Sequence, residues 1–184
     1  MKAWVLVAAF TLYRGICFRQ HWNEQARKTA EEPKQISDRL GSALLNVGYT
    51  ALYLTCLKSM MTTEPHWIRF SVGLWSLLYS WWFRERALAV LGANYSHEVA
   101  IREQHELVIQ GLYAKVRHPL YAGLLLDTWG AAILADNRWG WLVWLGFTLV
   151  VLRRMLIEDR ALVEKFGDPA KRYQDQVPAL RLFC

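Results

Sequence analysis

Cysteine is scarce and scattered in this chain. Cys17, Cys56 and Cys184 are all it has in 184 residues, too far apart for a metal-ligand spacing. Cys17 and Cys56 read as apolar fillers, and Cys184 does not stand in a C-a-a-X prenylation box. There is no internal repeat and no low-complexity segment, which excludes solenoids and linker-rich proteins. The apolar run after Met1-Lys2 is followed by no convincing small-residue cleavage site, so an uncleaved first helix is expected rather than a removed signal. Amphipathic stripes are largely missing too. Apolar residues instead come in blocks, at about 3–18, 40–61, 66–83, 119–135 and 139–152.

Most of these blocks approach the roughly 17–25 residues needed to cross a hydrocarbon layer. The apolar fraction is 54%, with ten Trp, eight Tyr and seven Phe, too aromatic for a disordered or coiled-coil chain. Trp81-Trp82-Phe83 and the run from Trp139 to Trp144 suit aromatic girdles at a membrane interface. The expectation is an all-α integral membrane protein with about five transmembrane helices.

The net charge of +6 would suggest nucleic acid on a soluble protein, but here the basic residues sort by loop. Segment 14–39 carries six, 84–117 five and the tail from Arg153 seven, whereas Lys2, Lys58, Arg69 and Arg138 fall at or near the other side. An outside N-terminus and a cytoplasmic C-terminus put 18 of the 22 on the cytoplasmic face, the positive-inside pattern. Membrane lipids, not nucleic acid, are the expected surroundings.

Between the blocks, residues 19–39 read as a polar loop with a short surface helix around 23–32. Thr62-Thr63-Glu64-Pro65 reads as a tight outer turn, and Asp136-Asn137-Arg138 as the hairpin joining the last two spans. The fifth helix should run on into the cytoplasm, because Leu152, Met155, Leu156, Leu162, Val163 and Phe166 keep near-helical spacing. Gly167-Asp168-Pro169 should stop it.

The polar chemistry concentrates at Gly111–Gly123. Pro119 suits the first turn of a helix, whose unpaired N–H groups attract an anionic group such as a carboxylate. Arg117 and His118 add donors and charge, and Gly123 offers a patch without a side chain. An ordinary basic anchor at the membrane surface has the same composition. Arg154 and Glu158 stand four apart on one helix face and can pair. At the mouth of a span such charges must meet each other or a ligand. Asp127 is a second charge inside a span, free on sequence grounds to bond a neighbouring helix or to line a cavity.

The run His105-Glu106-Leu107-Val108-Ile109-Gln110-Gly111-Leu112-Tyr113, followed by Val116-Arg117-His118-Pro119-Leu120-Tyr121-Ala122-Gly123, resembles the signature of isoprenylcysteine carboxyl methyltransferases and their bacterial relatives. Leu91–Ser96 upstream is similar to the family's L-G-x-x-(aromatic)-S element. Downstream, Arg154–Asp159, Leu162, Phe166-Gly167, Tyr173 and Val177-Pro178 resemble its R-x-x-x-E-E…L…F-G…Y…V-P. The resemblance covers roughly 91–178; residues 1–90 match only in hydropathy. It implies a single membrane domain, with N-terminal helices over 1–90 and a methyltransferase core over 91–184.

That core implies S-adenosylmethionine in a cytoplasmic pocket without a Rossmann fold. The pocket is formed by the last two helices, the loop before them and the tail. His105, Leu107, Val108, Tyr113, Arg117, His118, Tyr121 and Glu158 are the implied cofactor-binding set, with no metal. Arg154, braced by Glu158, is the candidate for holding the acceptor. The implied reaction is methylation of a lipophilic acceptor entering from the bilayer, foremost the carboxylate of an isoprenylated cysteine. Phospholipid or small-molecule N- or S-methylation on the same scaffold, a sterol- or enone-type reductase, and a non-catalytic membrane scaffold are the alternatives. Two departures from the pattern stand out. Asp159 replaces the usual second glutamate, which should alter the pocket mildly, and Ala170 replaces a frequent tyrosine, which should affect tail packing only.

Overall fold

The computed structural model describes residues 34–35, 38–62, 66–92, 95, 100–101 and 106–180. The expected first span over 3–18, the surface helix around 23–32, most of the turn before Pro65, most of the segment over 93–99, and His105 lie outside the described residues.

Five helices carry the described fold: α1 (Arg39–Thr62), α2 (Trp67–Leu91), α3 (Pro119–Ala135), α4 (Arg138–Phe166) and α5 (Asp168–Gln176). A 3-10 turn, Gly111–Ala114, precedes α3. The small exception to helix is an antiparallel pairing of β1 (Lys34–Gln35) with β2 (Ala100–Ile101). Among the described residues, α1 from Leu40 and α4 are long and apolar enough to cross a membrane, and α3 is a shorter apolar helix. Large apolar side chains point outward along them, Leu54, Leu142, Leu145 and Leu149 included. A belt of that kind suits lipid rather than water.

The blocks 40–61 and 119–135 coincide with α1 and α3. Block 66–83 continues as helix through Arg84-Glu85-Arg86 to Leu91, ending at Gly92, whose φ of 54° suits glycine. As the spacing predicts, α4 runs past its apolar block to Phe166, and Gly167 closes it at φ 62°. The chain does not relax into an irregular tail there. Pro169 in the first turn of α5 starts a new helix at once. The α3–α4 hairpin turns on Asp136 in the left-handed region and on Asn137, whose side chain accepts from the Gly140 N–H.

Small residues let α2 and α3 approach closely. A Cβ on Gly73 would crowd Leu134, and one on Gly130 would stand 2.9 Å from the Ser76 Cβ. Close backbone approach of this kind is a common basis of helix association in lipid. Asp127 of α3 is fully buried, and its carboxylate accepts from Tyr49 (2.9 Å) and Tyr53 (3.1 Å) of α1 and from Ser80 (3.2 Å) of α2. It ties three helices together in the apolar interior, where a polar group left without partners is costly.

Candidate active site

The segment before α3 is held by the C-terminal tail. The Arg117 N–H donates to the Pro178 carbonyl and the His118 N–H to that of Ala179. Tyr173 of α5 donates its hydroxyl to the Tyr113 carbonyl at 2.6 Å. The tail therefore presents Arg117 and His118 to α4, while fully buried Val116 anchors the segment against Phe83 and Ala122.

Asp159 receives both side chains. His118 Nε2 lies 2.9 Å from its Oδ1, and Arg117 Nη1 lies 3.3 Å from its Oδ2. A carboxylate only accepts, so Nε2 carries the proton and Nδ1 faces Glu158 Oε2 at 3.9 Å. The substitution expected to be mild thus sits at the centre of the cluster. Its shorter side chain reaches both partners because α4 passes directly beside the α3 N-terminus, a proximity that spacing along the chain does not reveal.

One turn back along α4, Arg154 is 3% exposed. Its Nε donates to the Tyr121 hydroxyl at 2.9 Å and its Nη1 to Ser42 Oγ at 2.7 Å. Tyr121 also hydrogen-bonds Glu158 and so joins the two residues expected to pair along the helix. Glu158 remains 37% exposed. Burial, followed by the charge of Glu158, pushes the Tyr113 hydroxyl far above its ordinary range. Burial also takes Tyr173 up to about 12, with Arg117 opposing and Asp159 adding to it. Both phenols are donors at physiological pH.

Tyr113, Arg117, His118, Tyr121, Arg154 and Glu158 thus converge where the 3-10 turn, α3 and α4 meet. Leu107 and Val108 lie half-buried in the irregular chain before the turn. Gly123 is not an open patch. The aliphatic stem of Arg84 lies across it, where a Cβ would collide, because α2 and α3 pack so tightly. Arg84 and Ser42 escaped the reading of the sequence. The only signal for Arg84 was a cation directly after the apolar block over 66–83, and nothing in the local pattern marked Ser42. Among the described residues, no cluster of His, Cys, Asp or Glu could hold a metal ion.

The sequence profile of the isoprenylcysteine carboxyl methyltransferase family matches residues 72–164, half of the chain. The chain belongs to that family. It is 30% identical over 122 residues to protein-S-isoprenylcysteine O-methyltransferase B of Arabidopsis thaliana, covering 63% of this chain and 60% of the relative. To the protein-S-isoprenylcysteine O-methyltransferase of Schizosaccharomyces pombe it is 35% identical over 104 residues, covering 53% and 43%. These matches span less than two thirds of either relative. The fold is similar to that of a eukaryotic intramembrane Ras methyltransferase, isoprenylcysteine carboxyl methyltransferase, with a TM-score of 0.57 at 25% identity, over 77% of this chain and 52% of that one. The family window contains the whole Arg117–Asp159 cluster and leaves α1 outside.

Proposed function

We propose that this protein transfers a methyl group from S-adenosylmethionine to the carboxylate of an isoprenylated cysteine lying in the membrane, giving a methyl ester. The observation that carries the reading is a buried arginine, Arg154, held by neutral hydroxyls beside the half-exposed carboxylate of Glu158, in a member of this family. Arg154 suits an acceptor carboxylate, and Glu158 suits a cation.

The donor set fits S-adenosylmethionine. The Nε–H groups of Arg84 and Arg117 are buried without a hydrogen-bond partner, and a carboxylate is the group that would satisfy them. Glu158, with Tyr113, His118 and Tyr121 around it, suits the positively charged end of the cofactor, and the half-buried Leu107-Val108 stretch adds an apolar wall. His105 belongs to the same set by resemblance. When bound, S-adenosylmethionine supplies an electrophilic methyl on a sulfonium.

The chain's own part is orientation. A carboxylate is already a nucleophile near neutral pH, so no general base is required. It has to be aligned and stripped of water, which Arg154 and the apolar ends of α3 and α4 would do. About five spans, with the N-terminus outside and the pocket cytoplasmic, agree with the 18 of 22 basic residues that sort to one side.

The test is S-adenosylmethionine binding to detergent-purified protein, followed by labelling of N-acetyl-S-farnesylcysteine. Saturable binding lost in Glu158→Ala and in His118→Ala, with base-labile label on the acceptor, is the expected result. Base-stable label on an amine lipid would move the reaction to N-methylation. A folded protein that binds no cofactor would end the methyltransferase reading.

A further inference from the structure

The first turns of α1, outside the family window, reach the site at two adjacent arginines of α4. Asp38 caps α1, accepting from the Gly41 N–H at 3.1 Å, and both of its carboxylate oxygens stand 3.0 Å from Arg153 Nη1. Ser42, one turn on and buried, accepts from Arg154 Nη1 at 2.7 Å. Gly41 makes room for this arrangement, since a Cβ there would run into the Asp38 carboxylate.

Neighbouring residues on a helix point about 100° apart. Arg153 therefore turns outward, with its side chain 57% exposed, whereas Arg154 turns inward at 3%. The end of α1 treats the two differently, placing a carboxylate on the outward cation and a hydroxyl on the inward one. A hydroxyl directs a guanidinium without offsetting its charge. Tyr121 does the same to Arg154 Nε from α3, so two neutral oxygens on two helices set the plane of the fork. A planar guanidinium recognises a carboxylate by that plane.

We propose that Ser42 is a positioning residue for Arg154, aligning its guanidinium for the acceptor carboxylate. The inference rests on the reading of Arg154 as the group that holds the acceptor.

The experiment compares Ser42→Ala, Ser42→Val and Ser42→Thr in full-length protein, with rates counted per S-adenosylmethionine-binding site so that loss of folded material does not mimic loss of alignment. Ala and Val variants should lose about tenfold or more in kcat/KM for N-acetyl-S-farnesylcysteine, a misplacement effect. Their affinity for S-adenosylmethionine should stay within about twofold, and the Thr variant, which restores the hydroxyl, should return to within about threefold of the natural protein. Natural-level activity in Ala and Val, a Thr variant as impaired as Val, or a loss that merely follows cofactor affinity would each overturn the positioning role. An unmutated protein that binds the cofactor yet methylates no prenylcysteine would overturn the reading of Arg154 itself, and the role of Ser42 with it.

Discussion

The two oxygens of Asp159 are divided between consecutive residues: Oδ1 lies 2.9 Å from His118 Nε2, and Oδ2 lies 3.3 Å from Arg117 Nη1. One carboxylate on α4 thereby orients both polar side chains at the start of α3. Replacing Asp159 with Asn keeps the size but removes the charge that holds Arg117. The expected cost is about 1.5–3 kcal/mol of stability, the range for a hydrogen bond to a charged group, read from thermal unfolding in detergent. Cofactor affinity should fall as well. Asp159→Glu restores the residue usual in the family and should remain active.

Tyr121 links Arg154 to Glu158 through a single hydroxyl. Tyr121→Phe deletes that oxygen and nothing else. Methyl transfer should drop about tenfold, the rate equivalent of one lost hydrogen bond to a charged group. Initial rates at saturating S-adenosylmethionine measure it, with unfolding temperature as the control that the core still packs.

Asp127 accepts from three hydroxyls on two neighbouring helices, those of Tyr49, Tyr53 and Ser80. Asp127→Ala removes an acceptor from all three, although Ser80 keeps its bond to the Leu77 carbonyl, and should cost about 1–3 kcal/mol. Asp127→Asn keeps an accepting oxygen and should cost less. In both, the folded fraction should bind S-adenosylmethionine as the natural protein does, because Asp127 ties helices together and does not face the site. Denaturant titration in micelles, followed by binding assays on the surviving protein, separates the two effects.

Burial raises the Asp38 carboxyl, but the hydrogen bonds from Arg153 and the Gly41 N–H, with the charges of Arg153 and Arg154, outweigh it and hold the group below its ordinary 3.8. A carboxyl depressed in the folded state stabilises above its unfolded value and loses that contribution as pH falls through the folded one. Asp38→Asn should therefore lower the unfolding temperature at neutral pH. The gap from the natural protein should narrow only below 3.8. Unfolding scans from acid to neutral pH would show it, and a gap constant across that range would contradict the assignment.

Much of the helical layout was legible along the chain. Apolar block lengths marked α1 and α3 to within a residue or two, the periodicity past Leu152 foretold the extension of α4, and Gly167 marked its end. These are local signals, each contained in one helix or turn. Gly123 shows the limit of such reading: a missing side chain looked like an opening, and the stem of Arg84 from another helix occupies it.

The sequence by itself determined the apolar blocks that become α1 and α3, the extension of α4 and the polar turn before α3, since hydropathy, helical period and motif order are properties of the chain. Only the tertiary structure decided which side chains meet. Arg154 and Ser42 are 112 positions apart, and His118 and Asp159 are 41 apart. Their pairing depends on the rotation of each helix about its axis and on how closely α1, α3 and α4 pack. Those quantities come from the fit of whole helix faces, and no spacing within one segment encodes them.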